Sequence, residues 1–180
     1  MLRELALFPL SQIVLPQGHM QLRIFEPRYQ RLVTEACAGK RAFASALLNP
    51  YVHQQHPSRI FPVVTLVQII DFCQLDDGLL GITIEGTQRL RICKRWQEAD
   101  QLHVAETEPL ADWPSQPLTA LQQPLVAALQ QIYQQNPELA ALYPTPQWQD
   151  GCWLAQRWLE VLTMPPQLKF QLLDANSAKP

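Results

Sequence analysis

Glycine is scarce in this sequence, six residues in 180, and its scarcity leaves little room for a backbone cradle around phosphate. Neither G-x-x-x-x-G-K-[ST] nor G-x-G-x-x-G occurs, which excludes ATP hydrolysis by a P-loop. The nucleophile-elbow pattern G-x-S-x-G is missing as well. The four cysteines, at 37, 73, 93 and 152, form no C-x-x-C pair and lie among apolar neighbours. They are expected to be reduced, buried thiols of a cytoplasmic protein, with no disulfide frame or zinc site. No stretch approaches the ~18 apolar residues a membrane span needs, and Met1-Leu2-Arg3-Glu4-Leu5 does not open a secretory signal. Neither sign of charge dominates: the net charge of -2 argues against a dedicated nucleic-acid binder. The charge is uneven, with seven Lys/Arg against three acids in residues 1–60 and four against eight in residues 61–110, the mark of a mixed, solvated surface.

What is present reads as strands up to about residue 110. Apolar or alternating runs at 5–8, 20–25 and 42–48 are bounded by Pro9, Pro16 and Gly18. A long Val/Ile/Phe-rich run over 62–75 breaks at Asp76-Asp77-Gly78 and resumes at 79–85, so the pair predicts a hairpin with an Asp-Gly turn. Gly86 suits a bulge. In 87–92, Leu90 and Ile92 alternate with Arg89 and Arg91, one face for the core and one for water. A last alternating run covers 101–108, with Leu102 and Val104 set against His103.

One helix interrupts the strands. Tyr29, Leu32, Val33, Ala36 and Cys37 form a stripe at i, i+3, i+4, i+7 and i+8. Pro27 fits its first turn, Glu26 places a carboxylate at its positive end, and Gly39 suits a left-handed residue after it. Phe25-Glu26-Pro27-Arg28-Tyr29 is therefore a strand-to-helix corner first. Beyond Asp112-Trp113-Pro114-Ser115-Gln116-Pro117 the chain becomes Gln-, Leu- and Ala-rich, with helices expected over 124–135, 138–143, 152–163 and 166–174. The expected division is a strand-rich unit at 1–112, a helical unit at 113–174 and a fraying tail at 175–180.

Reactive constellations are few. Ser58 has His53 and His56 nearby but no orienting acid. The two histidines could share a metal from a helix, yet they sit in a polar, proline-bounded stretch with the composition of a surface loop. Asp76 and Asp77 are the hairpin turn itself, and Asp71 and Glu85 add no evident acid–base pair. Cys73 and Cys93 have no cationic neighbour to activate them. Trp158 belongs to a helix stripe, whereas Trp96 and Trp113 flank connections and could anchor a partner. No catalytic residue, metal site or cofactor is expected.

The stretches Leu5-Ala6-Leu7-Phe8-Pro9-Leu10, Ile13-Val14-Leu15-Pro16-Gln17-Gly18 and Leu22-Arg23-Ile24-Phe25-Glu26-Pro27-Arg28-Tyr29 are followed by the Asp-Gly hairpin and Glu85-Gly86-Thr87-Gln88-Arg89. Near the end stand Trp153-Leu154-Ala155-Gln156-Arg157-Trp158 and Pro165-Pro166-Gln167-Leu168-Lys169-Phe170. Together these stretches resemble the Lon N-terminal domain, also called the LON substrate-binding domain, the last two its helical end. Val64 stands where the family commonly has glycine. The resemblance implies an α+β fold: a small PUA-like closed β-barrel of about six strands with an inserted helix, followed by an α-helical bundle. It also implies a stand-alone recognition domain without motor or peptidase, binding unfolded polypeptide or a partner protein. The expected ligand seat is an apolar groove between barrel and helical tail. Exposure logic nominates Arg28 and Arg31 off the helix stripe, Arg89 and Arg91 on a strand's outer face, Tyr51 in the long loop, and Trp96. The competing readings are PUA-like binding of RNA or a modified nucleotide, and binding of a small molecule; a membrane partner is not expected.

Overall fold

The computed structural model describes residues 2–175. Six strands and five α-helices follow in chain order: β1 (Arg3–Leu10), β2 (His19–Ile24), α1 (Pro27–Cys37), β3 (Phe43–Leu48), β4 (Ile60–Gln74), β5 (Leu80–Gln97), β6 (His103–Pro109), α2 (Gln123–Gln135), α3 (Pro137–Ala141), α4 (Gly151–Val161) and α5 (Pro166–Leu173). Of the expected tail, residues 176–180 lie outside the described residues.

The strands make one mixed sheet in the order β2-β5-β4-β3-β1-β6, and β6 pairs back onto β5. All pairs are antiparallel except β1–β3, whose parallel register (Ala6 opposite Phe43) follows from the crossover through β2 and α1. Six strands agree with the expectation, but this is not the clean six-stranded barrel. Among the named strands β2 pairs with β5 alone, so the sheet is curled with β2 attached to one side.

The corner at 25–29 forms as its residues dictate. Pro27 opens α1, Gly39 follows the helix at φ +68°, and Leu32 and Val33 are buried. Glu26 is the N-cap residue but makes no side-chain cap bond; its carboxylate holds Arg28 at 2.5 Å instead. The hairpin turns at Gly78, φ +81°, whose N–H donates to the Leu75 carbonyl. The pairing slips between Leu66–Gln88 and Val67–Gly86, leaving Thr87 as the extra residue. Gly86 is also where the chain before β2 crosses β5: it accepts from Gln17 N–H at 2.8 Å and donates to the Gly18 carbonyl at 2.9 Å.

Four apolar clusters hold the layers. Inside the curl lie Leu5, Leu7, Ala44, Ala46, Val64 and Leu90. Val64 pairs with Ala46 and Leu90 across the two neighbouring strands. Between α1 and the sheet lie Phe8, Ile24, Leu32, Phe43, Ile82 and Ile84. A third cluster, including Leu15, Phe61, Val63, Trp113, Cys152 and Leu173, packs the sheet's other face on the helical part. The fourth, including Leu129, Tyr133, Tyr143, Trp153 and Leu154, belongs to the helices.

Three expectations are corrected here. Cys37 and Cys93 are exposed and Cys73 is partly so, leaving Cys152 as the buried thiol. Cys37 is the last residue of α1, past the part of the stripe that meets the sheet, and Cys93 sits at a break in the β5–β6 register. Trp113 is buried, not an exposed anchor, because the sheet and the helical part close over it. Trp158 is only partly buried and donates its indole N–H to the Leu125 carbonyl at 3.2 Å.

Candidate functional site

The nominated residues do not assemble into one site. Arg89 is 3 % exposed and points away from water. Its guanidinium donates to the carbonyls of Leu173 at 2.5 Å, Ala111 at 2.6 Å and Ala175 at 3.3 Å, and lies 3.8 Å from the Trp113 ring centroid. Burial lowers its pKa, and the neighbouring acid Asp112 opposes that. The expectation of a solvated guanidinium face fails because the second face of the strand is covered by the helical tail. Arg91, on the same strand, pairs with Asp174 at 2.6 Å at the edge of that cover.

Arg28 and Arg31 are solvent-accessible but committed. Arg28 pairs with Glu26 and lies 5.1 Å from the Tyr29 ring centroid. Arg31 reaches Glu98 at 2.5 Å, Asp100 at 2.9 Å and Glu35 at 3.0 Å, and Arg41 shares Glu98 at 2.7 Å. Donating hydrogen bonds to Asp100 and Glu98 pushes the Arg31 pKa up, and Arg41 followed by Arg31 holds the Glu98 carboxyl low. This network pins α1 to the turn between β5 and β6. Tyr51 is 68 % exposed. Trp96 is partly buried, with the Lys94 ammonium 5.7 Å from its ring. His53 and His56 stack edge to face at 5.4 Å, but His56 Nδ1 accepts from Ser58 N–H at 3.0 Å, so one nitrogen caps a turn. Among the described residues no group of three or more metal-ligating side chains forms.

The seam between sheet and helices, where an apolar groove was expected, encloses about 380 Å³. Several of its polar groups are spent on the structure. Asp150 accepts from Cys152 N–H at 2.9 Å and Gln116 N–H at 3.2 Å, and Gln156 donates to Cys152 Sγ at 3.1 Å. Burial raises the Cys152 pKa, the opposite of an activated thiol.

The groove with the right chemistry lies elsewhere. About 550 Å³ opens between the C-terminal end of α1 and β4, lined by Ala36, Cys37, Phe43, Val67, Ile69 and Phe72, with Arg3 and Arg41 among its other walls. Beside it β4 outruns its partner. The β3–β4 pairing ends at Phe43–Val67, whereas β4 continues to Gln74 paired with β5 alone. Among the described residues no strand lies on the other edge of 68–74, and that segment exposes Ile70 at 44 % and Phe72 at 51 %. A bulge between Ile69 and Asp71 sets those side chains. The sequence held a signal for this edge: an apolar run of about fourteen residues follows one of about seven, so half the longer run has no partner of matching length.

A curled mixed sheet with one helix laid across it and a helical tail behind is the fold of Lon N-terminal domains. The structure superposes on the "Lon N-terminal domain protein from Xanthomonas campestris" with TM-score 0.74 and 23 % identity, covering 98 % of this chain and 92 % of that one. For the "N terminal domain of Mycobacterium avium complex Lon protease" the TM-score is 0.63 and the identity 14 %, with the same coverage. No curated protein matches the chain. The chain belongs to the family described as the ATP-dependent protease La (LON) substrate-binding domain, which it matches over residues 4–180.

Proposed function

We propose that this chain is a non-enzymatic polypeptide-recognition module that takes extended, apolar segments of unfolded or partly unfolded proteins along the open edge of β4. The observation that carries the reading is the unpaired stretch 68–74 beside the apolar groove under α1. An unpaired edge offers backbone donors and acceptors in the spacing an incoming strand needs, and the groove selects alternate apolar side chains. Each backbone hydrogen bond adds roughly 0.5–1.5 kcal/mol net, so four or five of them with a few buried side chains reach micromolar affinity, about -8 kcal/mol. The family description, a substrate-binding domain, supports the same reading.

Within this proposal the curled sheet is a PUA-like barrel, residues 1–112 and 113–174 are its two structural units, and the protein acts in the cytoplasm as an adaptor in protein quality control. RNA recognition is the weaker alternative, because Arg89 is buried and Arg91 ion-paired.

The test is fluorescence anisotropy with a labelled, permanently unfolded polypeptide at low and high salt, beside a single-stranded RNA of similar size. Micromolar binding that survives salt and weakens at least fivefold in Phe72→Ser is expected. Salt-sensitive RNA binding with no polypeptide signal would overturn the reading.

A further inference from the structure

At the opposite end of α1 from the apolar groove, the interior of the curl opens to the surface. The recess holds about 540 Å³ and is lined by Pro9, Glu26, Arg28, Leu48, Gln97 and His103, among others. Strand periodicity explains its position. Leu5 and Leu7 face the inside of the curl, so Pro9 does too; Ala44 and Ala46 do, and Leu48 follows. Ala105 also lies inside, opposite Arg95, and His103 lies opposite Gln97, which turns the ends of β5 and β6 inward.

Three buried polar atoms at or just behind this lining have no hydrogen-bond partner among the described residues: Arg28 Nε and His103 Nδ1 in the wall, and Arg95 Nη1 behind it, two residues before Gln97 on the same inward face of β5 and near enough for its charge to act on His103. The rest of each side chain is engaged and holds it in place. Arg28 pairs with Glu26 and donates to the Gln101 carbonyl at 3.4 Å. Arg95 Nη2 donates to the Pro57 carbonyl at 2.9 Å. His103 Nε2 lies 3.4 Å from the Gln97 side-chain amide nitrogen; in the tautomer whose Nε2 accepts that bond, the ring proton sits on Nδ1. The two guanidinium atoms are donors, and His103 Nδ1 is the third in that tautomer. Burial together with the charges of Arg95 and Arg28 pushes the His103 pKa down to about 4, so the ring is neutral at pH 7. The remaining cation, Arg59, spends Nη1 on the carbonyls of Asn49 and Val52 at 2.7 and 3.0 Å. Glu26, already held by Arg28, is the acid of the lining. Fixed donors without acceptors, two of them on guanidiniums, are the complement of an anion, because such groups are costly to leave buried and unpaired.

We infer that this recess binds a carboxylate of the captured polypeptide, through Arg28 Nε, Arg95 Nη1 and His103 Nδ1. A carboxylate brings two oxygens with about four acceptor positions to three donors. Its single charge suits a recess that already holds the Glu26 carboxylate better than a phosphate dianion does. The carboxylate can be a chain terminus or an Asp/Glu side chain. The anion site stands on its own geometry; only its carrier rests on the polypeptide-recognition reading.

The experiment uses the full chain and one apolar, unstructured dodecapeptide in four labelled forms: C-terminal acid or amide, each with an internal Glu or Gln. Anisotropy is read alongside an NMR titration of His103 with acetate alone. Acetate is expected to raise the His103 pKa by about 1–3 units, as an opposite charge in contact does. The peptide lacking the relevant carboxylate is expected to bind at least tenfold more weakly, with the difference abolished in Arg95→Gln and in the more exposed Arg28→Gln. Loss confined to the acid/amide pair assigns a chain terminus, and loss confined to the Glu/Gln pair assigns a side chain. Equal binding of all four peptides, with His103 unmoved by acetate, overturns the inference and leaves polypeptide recognition intact. A His103 response to acetate with no peptide binding retains the anion site and overturns its carrier. Binding of a single-stranded RNA that is lost in Arg95→Gln, again with no peptide signal, overturns the inference in favour of phosphate.

Discussion

Replacing Arg89 by alanine tests the claim that the helical tail is docked by a buried cation. Two of the three carbonyl contacts, at 2.5 and 2.6 Å, are short, charge-assisted bonds. At the low end of about 1.5 kcal/mol each they account for ~3 kcal/mol. The stacking on Trp113 at 3.8 Å adds about 1–2 kcal/mol in a desolvated setting. Against this stands the burial cost that lowers the Arg89 pKa, which the alanine variant no longer bears. A net loss of about 3 kcal/mol follows, which for a domain of this size lowers Tm by roughly 6–12 °C. Arg91→Ala is the internal control: its pair with Asp174 is about one-third exposed on both sides, and such a pair is worth under about 1 kcal/mol. Thermal unfolding by circular dichroism gives both values. Amide exchange in Arg89→Ala should also show lost protection across α5, whose Leu173 carbonyl Arg89 holds. An unchanged Tm for Arg89→Ala, or an Arg91→Ala variant equally damaged, would show that the buried guanidinium does not dock the tail.

Gly86→Ala should cost about 1–3 kcal/mol, because a Cβ there runs into the Leu15 carbonyl, backbone that cannot swing aside. Gly39→Ala, in open space but at φ +68°, should cost only the ~1–2 kcal/mol of a left-handed alanine; urea midpoints of the two variants separate crowding from strain. Arg31→Gln should lower stability at pH 7 and not at low pH. Arg41 and Arg31 hold Glu98 low, and Arg31 holds Asp100 low, so the carboxylates' contribution is present above their unfolded pKa values near ~4 and is lost as pH falls through the folded values. Denaturant midpoints of wild type and Arg31→Gln should therefore converge below about pH 3; a gap that persisted there would show that Arg31 acts through its aliphatic stem.

Local features were legible wherever a residue answers to its neighbours. The stripe of Leu32 and Val33, Pro27 at the start of the helix, Gly39 after it and the turn at Gly78 all obey rules that span a few residues, and each stands where expected. Arg89 shows where that legibility stops. The alternation Arg89-Leu90-Arg91-Ile92 reveals a strand with one apolar face, but not whether the other face meets water or the chain 84 residues further on. Cys37 fails for a related reason: helical spacing fixes a stripe's direction, not how far along it the sheet extends. His103 read as the polar half of an alternation, and only the curl of the sheet turns it inward beside Arg95. The open edge of β4 was half visible, in unequal run lengths whose pairing is a property of the whole sheet.

The strand outside the closed curl, β2, bears on the proposed site. Over residues 80–85, β5 carries β2 on one side and the overhang of β4 on the other, a three-strand platform. The helical tail secures β2 from behind. Leu15 N–H donates to Glu160 at 2.7 Å, the Pro16 carbonyl accepts from Arg157 at 3.0 Å, and His19 N–H donates to the Tyr143 hydroxyl at 3.0 Å. Burial pushes the Glu160 carboxyl up against the pull of Arg157, whose Nε lies 2.7 Å away though off-line for a hydrogen bond. Arg157 is fully buried, so removing either partner strands a charge. Gly18 sits against this pair with no room for a side chain. The tail thus does more than cap a core: by fixing the loop into β2 it fixes β5, and through β5 the free edge of β4. An edge held this way is ordered before a ligand arrives. Strand addition then costs the ordering of the incoming polypeptide and little from the protein, the condition under which a few backbone hydrogen bonds suffice for micromolar binding.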